Sequence, residues 1–232
     1  NQFLKLVCRI PRPWIKDPSF TPVEGAIEEA TGYSFPSGHT QNAVGTFGCV
    51  AYTFKQTWVK IASVAICLLV PISRMYLGVH TPLDVGVSFL IATALVFAIK
   101  PLFDKGEKNP VVMYAVLGSM LTIALAYFLF VFLFKFPSDI DTKNYESGLK
   151  NACTLLGCVC GIVISYPIEK NFIKFETSGK WYVQILKVGI GLGLILAIKG
   201  LLKPLFLLFL DAYTERIIRY AIIVVFAVIV WP

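Results

Sequence analysis

The chain has 232 residues, of which 56% are hydrophobic, 14% aromatic and 15% charged, where an ordinary soluble domain carries about 45–50% apolar and about 25% charged residues. Its formal charge of +7, from 21 Lys and Arg against 14 Asp and Glu, points in so apolar a chain to cationic loops facing lipid or an anionic substrate, not to nucleic acid. Disorder, a collagen-like repeat and a secreted disulfide scaffold are excluded. The apolar fraction is too high, Gly has no three-residue period, and five of the six cysteines (Cys49, Cys67, Cys153, Cys158 and Cys160) lie in apolar stretches without a C-x-x-C pair, as packing thiols do.

The longest polar stretch comes first, at residues 9–39, where the Pro-rich R-I-P-R-P-W-I-K-D-P leads into V-E-G-A-I-E-E-A. The spacing of Glu24, Glu28 and Glu29 predicts a short surface helix with a solvated acidic face. A second reading has this cluster gate a site or meet a cationic headgroup. Hydrophobic runs then follow at about 40–54, 58–77, 83–99, 111–134, 149–168, 182–210 and 217–231, close to the length of helix that crosses a hydrocarbon layer roughly 30 Å thick. The expectation is an all-α, polytopic transmembrane bundle of seven spans. Lys199, Lys203 and Pro204 predict a bend or interruption in the sixth. The connections are short, no internal repeat is evident, and the chain opens on Asn1 without a signal peptide, from which upstream sequence is expected.

If seven spans alternate, the loops at 55–60, 100–110 and 169–181 share one side with eight lysines, and those at 135–150 and 211–219 share the other with five Lys or Arg. The positive-inside rule then turns the first set to the cytoplasm and leaves residues 1–39, the 77–83 turn and the 135–150 loop outside.

Both histidines of the chain sit at the mouth of a predicted span. His39 ends P-S-G-H (Pro36, Ser37, Gly38, His39), and His80 lies in S-R-M-Y-L-G-V-H-T-P-L-D, from Ser73 to Asp84. Upstream, Lys5, Arg12 and Pro13 form K-x6-R-P. On the alternating topology two histidines, one carboxylate and the cations Lys5, Arg12 and Arg74 converge on one face. Each piece has a structural reading. Ser37 fits a helix N-cap, Thr81-Pro82-Leu83-Asp84 fits a capping box with Pro in the first turn, and span-end cations anchor to headgroups. The three spacings in order are far more specific than any part.

Taken together, these motifs resemble those of the type 2 phosphatidic acid phosphatase superfamily, integral-membrane lipid phosphatases related to undecaprenyl pyrophosphate phosphatases, glucose-6-phosphatase and vanadium haloperoxidases. The motif-bearing region, residues 5–84, covers under half of the chain. In the family, helices precede the first motif, whereas four residues do here. The resemblance implies a catalytic core over 1–100 and additional transmembrane helices over 101–232. It further implies that His80 attacks phosphorus to form a phosphohistidine, that Asp84 fixes the His80 tautomer, and that His39 protonates the leaving group. Phosphate would be held by Lys5, Arg12, Ser37, Gly38 and Arg74.

Such an inventory suits metal-independent phosphoryl transfer: a nucleophile, an acid, and cations and backbone N–H groups around the phosphoryl oxygens. Neither a cofactor nor a metal is expected, since both histidines are committed and the outer loops show no paired carboxylate motif. A site at the outer membrane–water interface of a plasma membrane suits a phosphorylated lipid, with undecaprenyl pyrophosphate, phosphatidic acid and phosphatidylglycerol phosphate as candidates. The other partners expected are membrane lipids and, as an open option, further copies of the chain. Two alternatives stand beside hydrolysis: a lipid phosphotransferase using the same site, and a non-catalytic anion or lipid transporter.

Overall fold

The computed structural model describes residues 1–138, 140–175 and 178–231. In chain order the helices are α1 (Gln2–Cys8), α2 (Pro13–Lys16), α3 (Gly38–Thr53), α4 (Thr57–Tyr76), α5 (Pro82–Lys108), α6 (Pro110–Leu133), α7 (Thr142–Ile168), α8 (Trp181–Phe206) and α9 (Ala212–Val225). Single π-helical segments, Glu169–Ile173 and Phe226–Val230, continue α7 and α9. No strand occurs among the described residues. The chain is a polytopic helical membrane protein.

Among the described residues five helices are long and apolar enough to cross a membrane: α4, α5, α6, α7 with its π-segment, and α8. This corrects the expectation of seven. The run at 40–54 is a helix of 16 residues, about 24 Å at 1.5 Å per residue, short of the roughly 30 Å hydrocarbon layer. The run at 217–231 is divided between the C-terminal part of α9, a helix of 14 residues, and a π-segment, and α9 carries Glu215, Arg216 and Arg219. Elsewhere the helices outrun the apolar stretches. α5 continues through Pro101 to Lys108, with a Lys100–Asp104 ion pair on the extension. Neither Pro71 nor Pro101 ends its helix. Pro204 lies in the last turn of α8, which stops at Phe206. The acidic segment 24–29 consists of turns, with Ala26 N–H bonded to the Val23 carbonyl and Ala30 N–H to that of Ile27. The expected short helix is absent there; Gly25, at φ +76°, adopts a left-handed conformation that interrupts a helical run.

The described residues divide into two compact units. The first comprises residues 1–113 and 137–148. Its core joins α3, α4 and α5 through Val44, Cys67 and Ala92, with Phe47 and Phe89 packed against them. Two of these helices begin with side-chain caps. The Ser37 hydroxyl accepts from Thr40 N–H, and Thr81 and Asp84 form a reciprocal capping box at the start of α5. The α4–α5 turn is held by the front of the chain: Val23 N–H donates to the Leu77 carbonyl at 3.2 Å. Gly78, at φ +72°, lies so close that a Cβ would stand 2.8 Å from Phe20 and 3.1 Å from the Pro22 backbone. That clamp fixes the turn carrying His80.

The second unit comprises 114–136 and 149–232. Gly157 and Gly161 on α7 form a G-x-x-x-G step facing α9, where a Cβ would collide with the Ile217 carbonyl and with Val224, the close backbone approach on which membrane helices pack. On α9 a buried Glu215–Arg219 ion pair satisfies two charges within one helical turn.

Candidate active site

The site lies within the first unit, and much of it is built on backbone. Residues 31–34 form a strap, fastened by Ser34 N–H to the Ile10 carbonyl at 2.9 Å and turned by Gly32 at φ +72°. Its carbonyls hold the first-motif cations. Lys5 Nζ donates to the Tyr33 carbonyl. Arg12 donates from Nε to Gly32 O at 3.1 Å and from Nη2 to Thr31 O at 2.8 Å. From Nη1 it donates to Val79 O at 2.8 Å and lies 3.1 Å from His80 Nε2. A guanidinium has five N–H groups, so one remains for a ligand. Lys5 and Arg12 are each 5% exposed.

His80 is 4% exposed and is held from both ring nitrogens. Arg12 can only donate, so Nε2 accepts and the ring proton of the neutral imidazole sits on Nδ1. Nδ1 lies 3.5 Å from Asp84 Oδ2 and 3.4 Å from Ser34 Oγ. Asp84 Oδ2 also accepts from Ser34 Oγ at 2.6 Å and from Thr81 N–H at 2.8 Å. One carboxylate therefore orients the imidazole and caps α5. Burial, followed by the repulsion of Arg12 and Lys5, outweighs the Asp84 hydrogen bond and holds the His80 pKa below its ordinary value. The ring is neutral at physiological pH.

Above this pair opens a cavity of about 160 Å³, lined among others by Lys5, Arg12, Gly38, His39, Arg74 and His80. The structure thus brings both histidines and all three motif cations to one hollow. Arg74 contributes a buried Nε without a hydrogen-bond partner among the described residues, a donor left for an anion. His39 is exposed at the first turn of α3; its pKa is lowered by desolvation and then by Arg74, Lys5 and Arg12, against a smaller opposing pull from Glu29. Burial, with Arg12 beside it, brings Lys5 down to about 7. A dianion in the cavity would reverse the repulsive part of both shifts.

Ser37 is fully buried, and its hydroxyl accepts from Thr40 N–H at 3.4 Å and Thr40 Oγ1 at 3.0 Å. It caps α3, while Gly38 beside it reaches the cavity. Glu29 of the acidic cluster also lines the cavity. Two features escaped the sequence reading. Ser34, 1% exposed between His80 and Asp84, precedes the P-S-G-H motif by only two residues and carries no spacing signal of its own. The strap works through carbonyls, and its single trace in sequence is Gly32. Among the described residues no group of three or more His, Cys, Asp or Glu is placed to hold a metal ion.

The family model for the PAP2 superfamily matches residues 1–107, and that for the PAP2 superfamily phosphatase, transmembrane extension, matches residues 153–232. Among curated proteins, the chain is similar to phosphatidylglycerophosphatase B of Bacillus subtilis (strain 168), 33% identical over 112 residues, 44% of this chain and 53% of that protein. It is similar to undecaprenyl-diphosphatase of Sulfolobus acidocaldarius, 37% identical over 67 residues, 29% of this chain and 32% of that protein. The matches thus span about half and about a third of these relatives' own lengths. No solved structure matches.

Proposed function

The chain belongs to the PAP2 superfamily, and from that premise we propose that it is a metal-independent lipid phosphatase working through a phosphohistidine at His80. The observation that carries this reading is the buried Arg12–His80–Asp84 chain at the floor of a cationic cavity. A neutral imidazole whose Nδ1–H is fixed by a carboxylate presents the Nε2 lone pair for in-line attack.

In the first step the Nε2 lone pair forms the N–P bond as the lipid oxygen leaves with the P–O electron pair. His39 gives that oxygen its proton. Asp84 stabilises the positive charge gained by the imidazole. In the second step His39, now neutral, takes a proton from water, the water oxygen bonds to phosphorus, the N–P bond breaks, and inorganic phosphate departs. Lys5, Arg74 and the remaining N–H of Arg12 meet the charge on the phosphoryl oxygens, with the Gly38 N–H at the start of α3. Arg12 must yield its contact with Nε2 as phosphorus approaches, and its three carbonyl contacts keep the guanidinium in place while it does.

The catalytic core is assigned to residues 1–100 and accessory membrane helices to 101–232. A site at the membrane surface suits a phosphate on a lipid anchor, and the names of both relatives agree with that class. We assign the cavity to the outer face of a plasma membrane, with α3 taken as a further crossing, because alternation of the five longer helices alone would put His39 and His80 on opposite faces while one cavity unites them. Cys8 is exposed on α1; its labelling by an impermeant maleimide in intact cells tests that orientation.

The deciding experiment is phosphate release in detergent with chelator present, offering phosphatidylglycerol phosphate, undecaprenyl pyrophosphate and phosphatidic acid side by side, with His80→Ala as control. Chelator-resistant release that vanishes in the control is expected. Equal release by His80→Ala would overturn the mechanism, and phosphate appearing on an added alcohol in place of solution would make the protein a phosphotransferase.

A further inference from the structure

We propose that Ser34 is a positioning residue of this reaction, holding the His80 imidazole and the Asp84 carboxylate in the arrangement that presents Nε2 to phosphorus. The proposal rests on the phosphohistidine reading above. Its basis is the hydrogen-bond inventory of a closed site. The Ser34 hydroxyl has one proton, and it goes to Asp84 Oδ2 at 2.6 Å, because an ionised carboxylate can only accept. The oxygen lone pairs that remain lie 3.4 Å from His80 Nδ1. With Arg12 donating on the other side of the ring at 3.1 Å, the Nδ1 proton is shared between Ser34 Oγ and Asp84 Oδ2, the latter at 3.5 Å.

Ser34 thus fills the corner of a triangle whose His–Asp edge is long. It is 1% exposed, as is Asp84, so water does not readily replace it. Its backbone N–H bond to Ile10 fixes it to the segment that delivers Arg12. Without the hydroxyl, Asp84 Oδ2 would retain Thr81 N–H as its donor beside the imidazole. The charge then seen by His80 grows, countered from the other side by Lys5 and Arg12, and the ring both gains basicity and loses its orientation. A protonated His80 cannot attack.

The test uses Ser34→Ala and Ser34→Thr in the full chain, with wild type and His80→Ala beside them. For Ser34→Ala the expected result is a fall in kcat of roughly 10- to 100-fold with KM within about threefold. The acidic limb of the kcat/KM profile should move to higher pH, and Ser34→Thr should recover much of the loss. A second readout needs no turnover. The chain has two histidines, so nitrogen-15 histidine spectra in a His39→Gln background report His80 alone, and Ser34→Ala should raise its pKa and mix its tautomers. If wild type and His80→Ala differ as expected while Ser34→Ala keeps wild-type kcat, pH profile and spectrum, Ser34 is only filler. Loss of activity with an unchanged His80 spectrum and a lowered melting temperature would also overturn the proposal. If wild type releases no phosphate, the phosphatase reading fails, and the spectrum alone decides whether Ser34 positions the ring.

Discussion

Arg12 Nη1 stands 3.1 Å from His80 Nε2, the atom proposed to attack phosphorus, while three other N–H groups of the same guanidinium are bonded to the carbonyls of Thr31, Gly32 and Val79. Arg12, proposed as a phosphate ligand, is therefore also a fastener between segments of the chain. Arg12→Lys keeps the charge but can satisfy at most three acceptors from one point. We expect kcat/KM to fall at least about 100-fold and the melting temperature in detergent to drop as well. A variant that lost phosphate affinity alone, with unchanged melting, would restrict Arg12 to ligand binding.

Asp84 separates its two roles by substitution. Asp84→Asn can still accept from Thr81 N–H and preserve the start of α5, but it lacks the charge that stabilises an imidazolium. Turnover should fall by two or more orders of magnitude with little change in stability. Asp84→Ala should lose the same activity and, in addition, about 1 kcal/mol from the lost hydrogen bond of the capping box. Matched kinetics and melting curves of the pair check this, and equal stability would mean that the capping box contributes little.

His39 is the acid only if its importance depends on the leaving group. His39→Gln should reduce hydrolysis of an alkyl phosphate lipid by roughly 10²- to 10⁴-fold, yet reduce that of a p-nitrophenyl phosphate substrate, whose phenolate departs without a proton, much less. Equal losses on both substrates would assign His39 to phosphate binding.

Lys5, proposed as a phosphate ligand, should make anion binding pH-dependent. Burial brings its pKa down to about 7, so the ammonium is present below neutrality and is lost as pH rises through 7 and above. Sulfate keeps its charge across this range, so its affinity should decline from pH 6 to pH 9, and Lys5→Met should flatten the decline. The native state holds fewer protons at Lys5 than the unfolded chain between about 7 and the ordinary lysine value, so this group makes folding more favourable with rising pH there. Titration of sulfate binding in both variants measures the first effect directly.

The motif residues were legible in sequence because particular polar side chains stand at fixed spacings at helix starts: His39 in the first turn of α3, His80 and Asp84 four apart across the start of α5. The helices were legible too, since apolar runs mark them. Their limits were not, because α5 continues through Pro101 and beyond its apolar run to Lys108, and because the run at 217–231 does not reveal that its last residues wind as a π-segment. The role of Gly157 and Gly161 is not legible in sequence, because only the fold sets α9 against them. Ser34 was missed because a lone serine has no period and no partner within reach in sequence; Asp84 is fifty residues away.

The strap at residues 31–34 has a consequence for how sequences of this kind diverge. Its carbonyls grip Lys5 and Arg12, and a carbonyl is common to every amino acid. Thr31, whose side chain is exposed, can therefore be exchanged for many residues without moving its acceptor, while Tyr33 is also held by its buried ring and Gly32 cannot readily carry a side chain at φ +72°. Register matters more than identity. One residue inserted or deleted within 31–34 would shift the strap's acceptors by a step and turn Ser34 away from Asp84. The length of this short segment, more than the identity of its exposed side chains, sets where the acceptors stand.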